Sequence, residues 1–373
     1  MTAPPPAVPT PEGSPDAGAV WHYGDPLGEQ QAAAGAAVLI DRSHRAVLTL
    51  TGKDRQTWLH SISSQHVSAL PDGVVTENLS LDLQGRVEDH WIQTDLGGTT
   101  YLDTEPWRGE PLLAYLRKMV FWADVQIEPA DMAVLSLLGP GLADVQVIKA
   151  LGRAELPEEA TAVALPGGGF LRRLPAPGIE LDLVVPREAV AEYTQRLTDA
   201  GVRPAGIWAY EAHRVASGRP RLGVDTDERT IPHEVGWIGG PGVGAVHLDK
   251  GCYRGQETVA RVHNLGKPPR MLVILQLDGS SDRPVTGDAV TAGGRNVGRI
   301  GTVVEHADDG PIALALVKRG LPADTELVAG AEAQAPAVID PDSLPEADAT
   351  AGAGRAAVDR LRGRSAVEQV IGT

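Results

Sequence analysis

The spacing of apolar residues changes period several times along the chain. From Asn78 to Thr94 the period is two: Leu79, Leu81 and Leu83 fall on one face, Gln84-Gly85 supplies a turn and a return strand begins at Arg86, which predicts a β-hairpin. On the return strand Asp89 shares a face with Val87 and Trp91, while His90 alternates with Glu88 on the other. Before the hairpin, a strand through Ala46 to Leu50 meets Gly52 and Asp54. The spacing Trp58, Leu59, Ile62 is then helical, with Asp54 placed to cap its first turn. Helical spacing returns at Leu112, Leu113, Leu116 and Val120, and a buried strand at Val134 to Leu138 ends at Gly139-Pro140.

A second αβ stretch follows, with a strand from Glu180 to Val185, a helix beginning near Arg187 and another from about Ile207 to Ser217. After Lys267-Pro268-Pro269 come short β-like runs, Met271 to Leu277, Gly298 to Val304 and Ile312 to Val317, which predict a small all-β unit. The ends carry too little apolar surface to offset ordering entropy, so Thr2 to Gly18 is predicted as a disordered leader. The chain beyond Val338 is predicted as a flexible tail with one short helix around Ala356 to Leu361. No repeat of solenoid or propeller length is present.

At 373 residues the chain is long enough for two or three cores, and its 42% apolar content is that of a globular protein. Lys and Arg number 33 against 49 Asp and Glu, a formal charge of −16 that disfavours strong direct nucleic-acid binding and anionic lipid. Cys252 is the only cysteine, which excludes an intrachain disulfide framework. With no lysine or arginine before Arg42, no long apolar leader and no run near the ~20 residues of a membrane span, a soluble cytoplasmic protein is expected.

The segment from Asp249 to Arg261 carries the most chemistry. A thiol becomes nucleophilic when its thiolate is stabilised, and Lys250, Arg254 and a helix starting near Gln256 are placed to supply positive potential. Gly251 and Gly255 bracket Cys252 and free the backbone for a tight turn. The chemistry alone leaves open a second reading, a buried cysteine acting as a small hydrophobe. The residues Lys250, Gly251, Cys252, Tyr253, Gly255, Gln256 and Glu257 fit the pattern Lys-Gly-Cys-Tyr-x-Gly-Gln-Glu, with Arg254 at the variable position. On this motif the chain resembles the YgfZ branch of the tetrahydrofolate-binding, glycine-cleavage T-protein (GcvT)-like family, and the resemblance runs from Leu50 to Val317.

The resemblance implies an α+β fold of two interleaved αβ domains followed by a small C-terminal β-barrel, with folate in a central channel. The expected partition is a leader at 1–20, a discontinuous first αβ domain at 21–52 and 139–266, a second at 53–138, a barrel at 267–337 and a tail at 338–373. The polar segment after the first hairpin turn contributes to the folate site in that family, which makes Asp89 a candidate cofactor-binding residue. The alternative is an exposed sheet face on which Trp91 is an edge aromatic. The aminomethyltransferase branch has two successive aspartates there, and the second place here is His90. A pterin-binding glutamate of the transferases is likewise replaced by Ala216. Tyr210 could stack on a pterin or aminobenzoyl ring and Arg214 could meet a carboxylate, or both are structural.

Other motifs are weaker. Gly239 to Gly244 lacks the Lys-Ser/Thr ending of a phosphate loop and reads as a flexible approach to the thiol. His233-Glu234 lacks the second histidine of a zinc-protease helix, and one cysteine cannot hold an iron–sulfur cluster within the chain. His60 and His66, six apart on a predicted helix, share no face; no metal site is expected. The resemblance therefore implies a tetrahydrofolate-binding accessory protein in iron–sulfur protein assembly or repair, with Cys252 and Lys250 as its reactive pair and iron–sulfur proteins as clients. Two other readings stand: a folate-dependent aminomethyl or methyl transferase or demethylase using Asp89, and a non-catalytic folate-responsive adaptor.

Overall fold

A computed structural model of the protein describes residues 6–280 and 282–345. Its frame is two sheets. One has six strands in the spatial order Thr161–Ala164, Phe170–Arg173, Glu180–Pro186, Met132–Leu138, Val38–Asp41, Arg203–Ala205, antiparallel except for the last pair. The other has five antiparallel strands in the order Val75–Leu81, Val87–Leu96, Thr99–Thr104, Ala46–Thr51, Gln126–Pro129.

Each sheet buries one face under helices, as its period-two apolar pattern requires. The six-stranded sheet packs Leu135, Leu137 and Leu183 on Leu197 and Tyr193 of helix Val190–Asp199. The five-stranded sheet packs Leu48, Leu50, Trp91 and Leu102 on Leu59 of helix Arg55–Ile62 and Leu112 and Leu116 of helix Gly109–Met119. The remaining faces meet through Val47, Val75, Val134, Phe170 and Val184, with the Tyr101 and Phe170 rings 4.9 Å apart.

Beside this apolar contact the facing sheets bury charge. Arg172 bonds Asp182 on its own sheet at 2.7 Å and reaches Asp103 on the other. Arg45 joins Asp103 to Glu105, and Arg221 continues the chain from Glu105 to Asp16. Buried charges persist only when paired in this way. Burial would raise the Asp103 carboxyl, but the guanidinium groups of Arg45 and Arg172 outweigh it and hold the carboxyl below its ordinary value.

A closed six-stranded barrel follows, in the order Arg270–Leu277, Gly310–Lys318, Arg295–His306, Ala289–Ala292, Leu327–Ala329, Ala335–Ile339. Helix Ile207–Ala216 lies against it, packing Ala212 and Val215 on Ile274, Val304 and Leu314.

Several expectations are corrected. Residues 6–18 form structure: Val8–Pro9 pairs with Val20–His22, and Asp16, 4% exposed, bonds Arg221 twice and His44 once. Strand pairing and the contacts of Asp16 with Arg221 and His44 hold a segment whose apolar content is low. The sheets also exchange strands relative to the expected boundaries, because Ala46–Thr51 belongs with the hairpin sheet and Met132–Leu138 with the six-stranded sheet. Residues 338 and 339 complete the last barrel strand, so the tail cannot begin at 338; the helix expected around Ala356 to Leu361 lies outside the described residues. Leu83 is exposed at the hairpin tip rather than sharing the buried face of Leu79 and Leu81, since a register shift follows Ser80 and the strand ends at Leu81. Asp54 starts its helix without a side-chain capping bond; its carboxylate accepts instead from the Asp124 amide at 2.8 Å.

Candidate functional site

A channel of about 310 Å³ opens between the two sheets, the helix Ile207–Ala216 and the loop after it, and Gly242 to Gly244. His90, on the face of its strand opposite Asp89, projects into it. The imidazole stacks on Trp237, with centroids 4.7 Å apart and planes 7° from parallel, and its Nε2 lies 2.7 Å from Glu77 Oε2. Burial pushes the Glu77 carboxyl up, but the hydrogen bond and charge of His90 and the charge of Arg219 leave it below its ordinary value. Across the channel the Arg42 guanidinium lies 3.8 Å over the Tyr210 ring. Burial raises the Tyr210 hydroxyl pKa despite that cation. Arg219, also on the wall, is 2.7 Å from the buried carboxylate of Glu180, which is held down to about 2: burial raises it, and Arg219 and His213 more than reverse this.

Of the three expected folate contacts, Tyr210 and Arg214 line this channel and Asp89 does not. Asp89 is buried, as its place between Val87 and Trp91 requires, and Trp91 is fully buried rather than an edge aromatic. Its carboxylate takes Arg108 Nε at 2.8 Å, a second bond from the same guanidinium and one from Ser80 Oγ at 3.1 Å. It faces a separate open cleft of about 1010 Å³ with Trp107, Tyr115 and Arg299. Arg214 lines the channel but has no donor to spare. Its five N–H groups go to Glu211, Asp225, Thr302 and the Arg219 carbonyl, which bolts the helix to the barrel.

The thiol motif forms a loop outside the channel. Cys252 is exposed and stands on the wall of neither cavity, so the reading of a buried small hydrophobe is excluded. Gly251 and Glu257 are exposed, and Tyr253 is buried with Leu79, Leu81 and Val259. Gly255 adopts φ +80° at the start of helix Gln256–Leu265, where a Cβ would stand 2.5 Å from the Asp82 carbonyl oxygen of the hairpin. Gln256 Nε2 closes the loop onto the Lys250 carbonyl at 2.9 Å.

The expected activating cations are engaged elsewhere. Arg254 pairs with Glu88 at 2.8 Å. The Lys250 ammonium donates to the carbonyls of His60, Ser63 and Gln65, and an ammonium has three protons to give. Lys250 therefore makes no hydrogen-bonded pair with the thiol.

Residues 63–66 also hold the glycine-rich segment, because Gln65 Nε2 donates to the carbonyls of Gly239 at 3.0 Å and Gly244 at 2.6 Å. That segment is channel wall rather than a flexible approach to the thiol. His60 and His66 share no helical face, yet their rings meet at 4.8 Å because the helix ends at Ile62 and the chain doubles back. Among the described residues no cluster of His, Cys, Asp or Glu could hold a metal ion, and no helix is long and apolar enough to cross a membrane.

His90, Glu77, Arg42, Arg219 and Trp237 were not expected as channel residues. The alternation of the hairpin already placed His90 opposite Asp89. Nothing local marks Trp237, which arrives through long-range packing.

The chain matches no family model. The structure of glycine cleavage system aminomethyltransferase T from Bartonella henselae superposes with a TM-score of 0.77 at 19% identity, covering 89% of this chain and 92% of that one. The fold is thus that of an aminomethyltransferase. In sequence the chain is 28% identical to an aminomethyltransferase of Stenotrophomonas maltophilia (strain R551-3) over 73% of its own length and 75% of the relative's. It is 30% identical to the tRNA-modifying protein YgfZ of Escherichia coli O157:H7 (strain EC4115 / EHEC) over 73% of its length and 82% of the relative's. The chain belongs to the YgfZ/GcvT-like family.

Proposed function

We propose that the channel binds a reduced folate and that the protein uses the exposed thiol of Cys252 as an accessory factor in the assembly or repair of iron–sulfur proteins. The observation that carries the folate half is the stacked His90–Trp237 pair with Glu77 beside it. A pterin is a flat ring edged with N–H donors, which calls for an aromatic wall and an acceptor, and the Glu77 oxygen not engaged by His90 is such an acceptor. The channel volume lies at the lower end of the range for small-molecule sites. Tyr210 would flank the ring and Arg42 or Arg219 would meet the acidic end. Bound there, a reduced folate would supply a one-carbon carrier. The chain's own residues orient it and keep it apart from bulk water.

The placement of Cys252 away from the channel favours a sulfur group on a second protein as its reaction partner over a folate adduct. Asp89, which a transferase would use, is engaged by Arg108 on the far side of its strand; this weighs against the transferase reading. The charge of −16 disfavours direct tRNA contact, so any effect on tRNA runs through an iron–sulfur client.

Anaerobic calorimetric titration with tetrahydrofolate tests the folate half, using wild type, His90→Ala and Tyr210→Ala. Saturable binding weakened in both variants supports it; no binding by folded wild type removes it. Full rescue by Cys252→Ser of a cell lacking the protein would remove the thiol half and leave the adaptor reading.

A further inference from the structure

We infer that Lys250 is the positioning residue of the thiol loop: it caps the C-terminal end of helix Arg55–Ile62 and so fixes the backbone from which Cys252 is presented to solvent. The inference deepens the thiol half of the proposed function and rests on it for its biological meaning.

The last turn of a helix leaves carbonyls without intrahelical partners and carries the negative end of the macrodipole. Here the carbonyls of His60, Ser63 and Gln65 converge on one point, and the Lys250 ammonium, on a residue 4% exposed, occupies it. Burial pushes Lys250 down to about 8, while the three carbonyl acceptors favour the charged form. The ammonium also sits 5.0 Å from the centroid of the buried Tyr253 ring.

The motif thereby resolves into parts. Lys250 anchors one end of the loop and Gln256 closes the other onto the Lys250 carbonyl. Tyr253 fills the core beneath, and Gly255 lets the loop approach the hairpin. Cys252, like the Arg254 that pairs with Glu88, is then exposed on a fixed base. The same residues 63–66 hold the glycine segment of the channel wall through Gln65, so thiol loop and channel share one scaffold. A point charge with three rotatable donors suits three convergent carbonyls, whereas the planar fork of arginine does not.

Two readouts on the intact protein separate positioning from activation. The first is the pH–rate profile for alkylation of Cys252 by iodoacetamide; the second is amide hydrogen exchange over residues 60–66 and 249–256. In Lys250→Met the exchange should accelerate by at least about tenfold, the loss of roughly one buried charge-assisted bond. The profile midpoint should stay where it is in wild type. Lys250→Arg should not restore protection. Gln256→Leu, which releases the other end of the loop without removing a charge, should show a milder form of the same signature.

A midpoint raised by about one unit or more in Lys250→Met, with exchange unchanged, would make Lys250 an activator and overturn the assignment. Unchanged exchange in Gln256→Leu would overturn it also. Neither readout uses folate or cell rescue, so the assignment and the proposed function fail separately.

Discussion

The imidazole of His90 lies flat on the indole of Trp237 at 4.7 Å, while the carboxylate of its neighbour Asp89 leaves the opposite face of the same strand for Arg108 at 2.8 Å. One strand thus serves two cavities, and adjacent residues have unrelated tasks. Asp89→Ala should destabilise the protein by about 1–2 kcal/mol, because it removes the buried acceptor of Arg108 and Ser80 while Arg108 can still reach solvent, and should leave folate affinity unchanged. Urea denaturation and calorimetric titration check the two halves. A large loss of affinity at full stability would return Asp89 to the ligand site.

The N-terminal segment is held by charge. Burial would raise the Asp16 carboxyl, but His44 and Arg221 outweigh it and set it well below the usual carboxylate range. Asp16→Ala should cost about 3 kcal/mol in urea denaturation with the slope unchanged. Stability equal to wild type would mean that the segment does not brace the ion network.

Acid should unfasten the barrel. Arg270, at its first strand, bonds Asp227 at 2.6 Å and Glu234 at 2.8 Å. Burial pushes Asp227 up, and the hydrogen bonds of Arg270 and Thr230 more than reverse this to about 2. Since the folded value lies below the unfolded one, the stabilisation is complete above about pH 4 and is lost as pH falls through about 2. In urea denaturation across this window, wild type should lose on the order of 1 kcal/mol more than Arg270→Met, which has already lost the share that Arg270 contributes, while the share from Thr230 remains in both.

The barrel meets the loop after helix Ile207–Ala216 at Gly301, in the irregular part of strand Arg295–His306, where a Cβ would collide with the Asp225 carboxylate. That carboxylate accepts from the amides of Thr302 at 2.7 Å and Arg221 at 2.8 Å and from Arg214 at 2.8 Å. Gly301→Ala should cost about 2–3 kcal/mol in thermal or urea unfolding, through overpacking and the displaced acceptor. A neutral outcome would show that the loop yields.

Local pattern made much of the frame legible. Period two in Leu79-x-Leu81 and Val87-x-Asp89-x-Trp91 marked the two strands of a hairpin, and Trp58, Leu59, Leu112 and Leu116 marked the helices that cover the Trp91 face of its sheet; Leu79, opposite His90, is buried on the other face. The thiol motif was legible as a motif, since its residues are consecutive. Sheet membership was not. Ala46–Thr51 and Met132–Leu138 read as strands equally well in either sheet, because alternation states which faces are buried and not against what.

By itself, then, the sequence determined the hairpin, the helices over its sheet, the single thiol, the acidic balance and the opposite placement of Asp89 and His90 on their strand. Tertiary structure alone decided that Lys250 serves carbonyls 185 to 190 residues away rather than the cysteine two positions on. It also decided that Arg214 is spent on the barrel, that Asp16 orders the leader and that Trp237 meets His90. The physical reason is the same throughout: a charged or aromatic side chain goes where desolvation is best offset, and in a closed fold that partner is set by packing distance rather than by position in the chain.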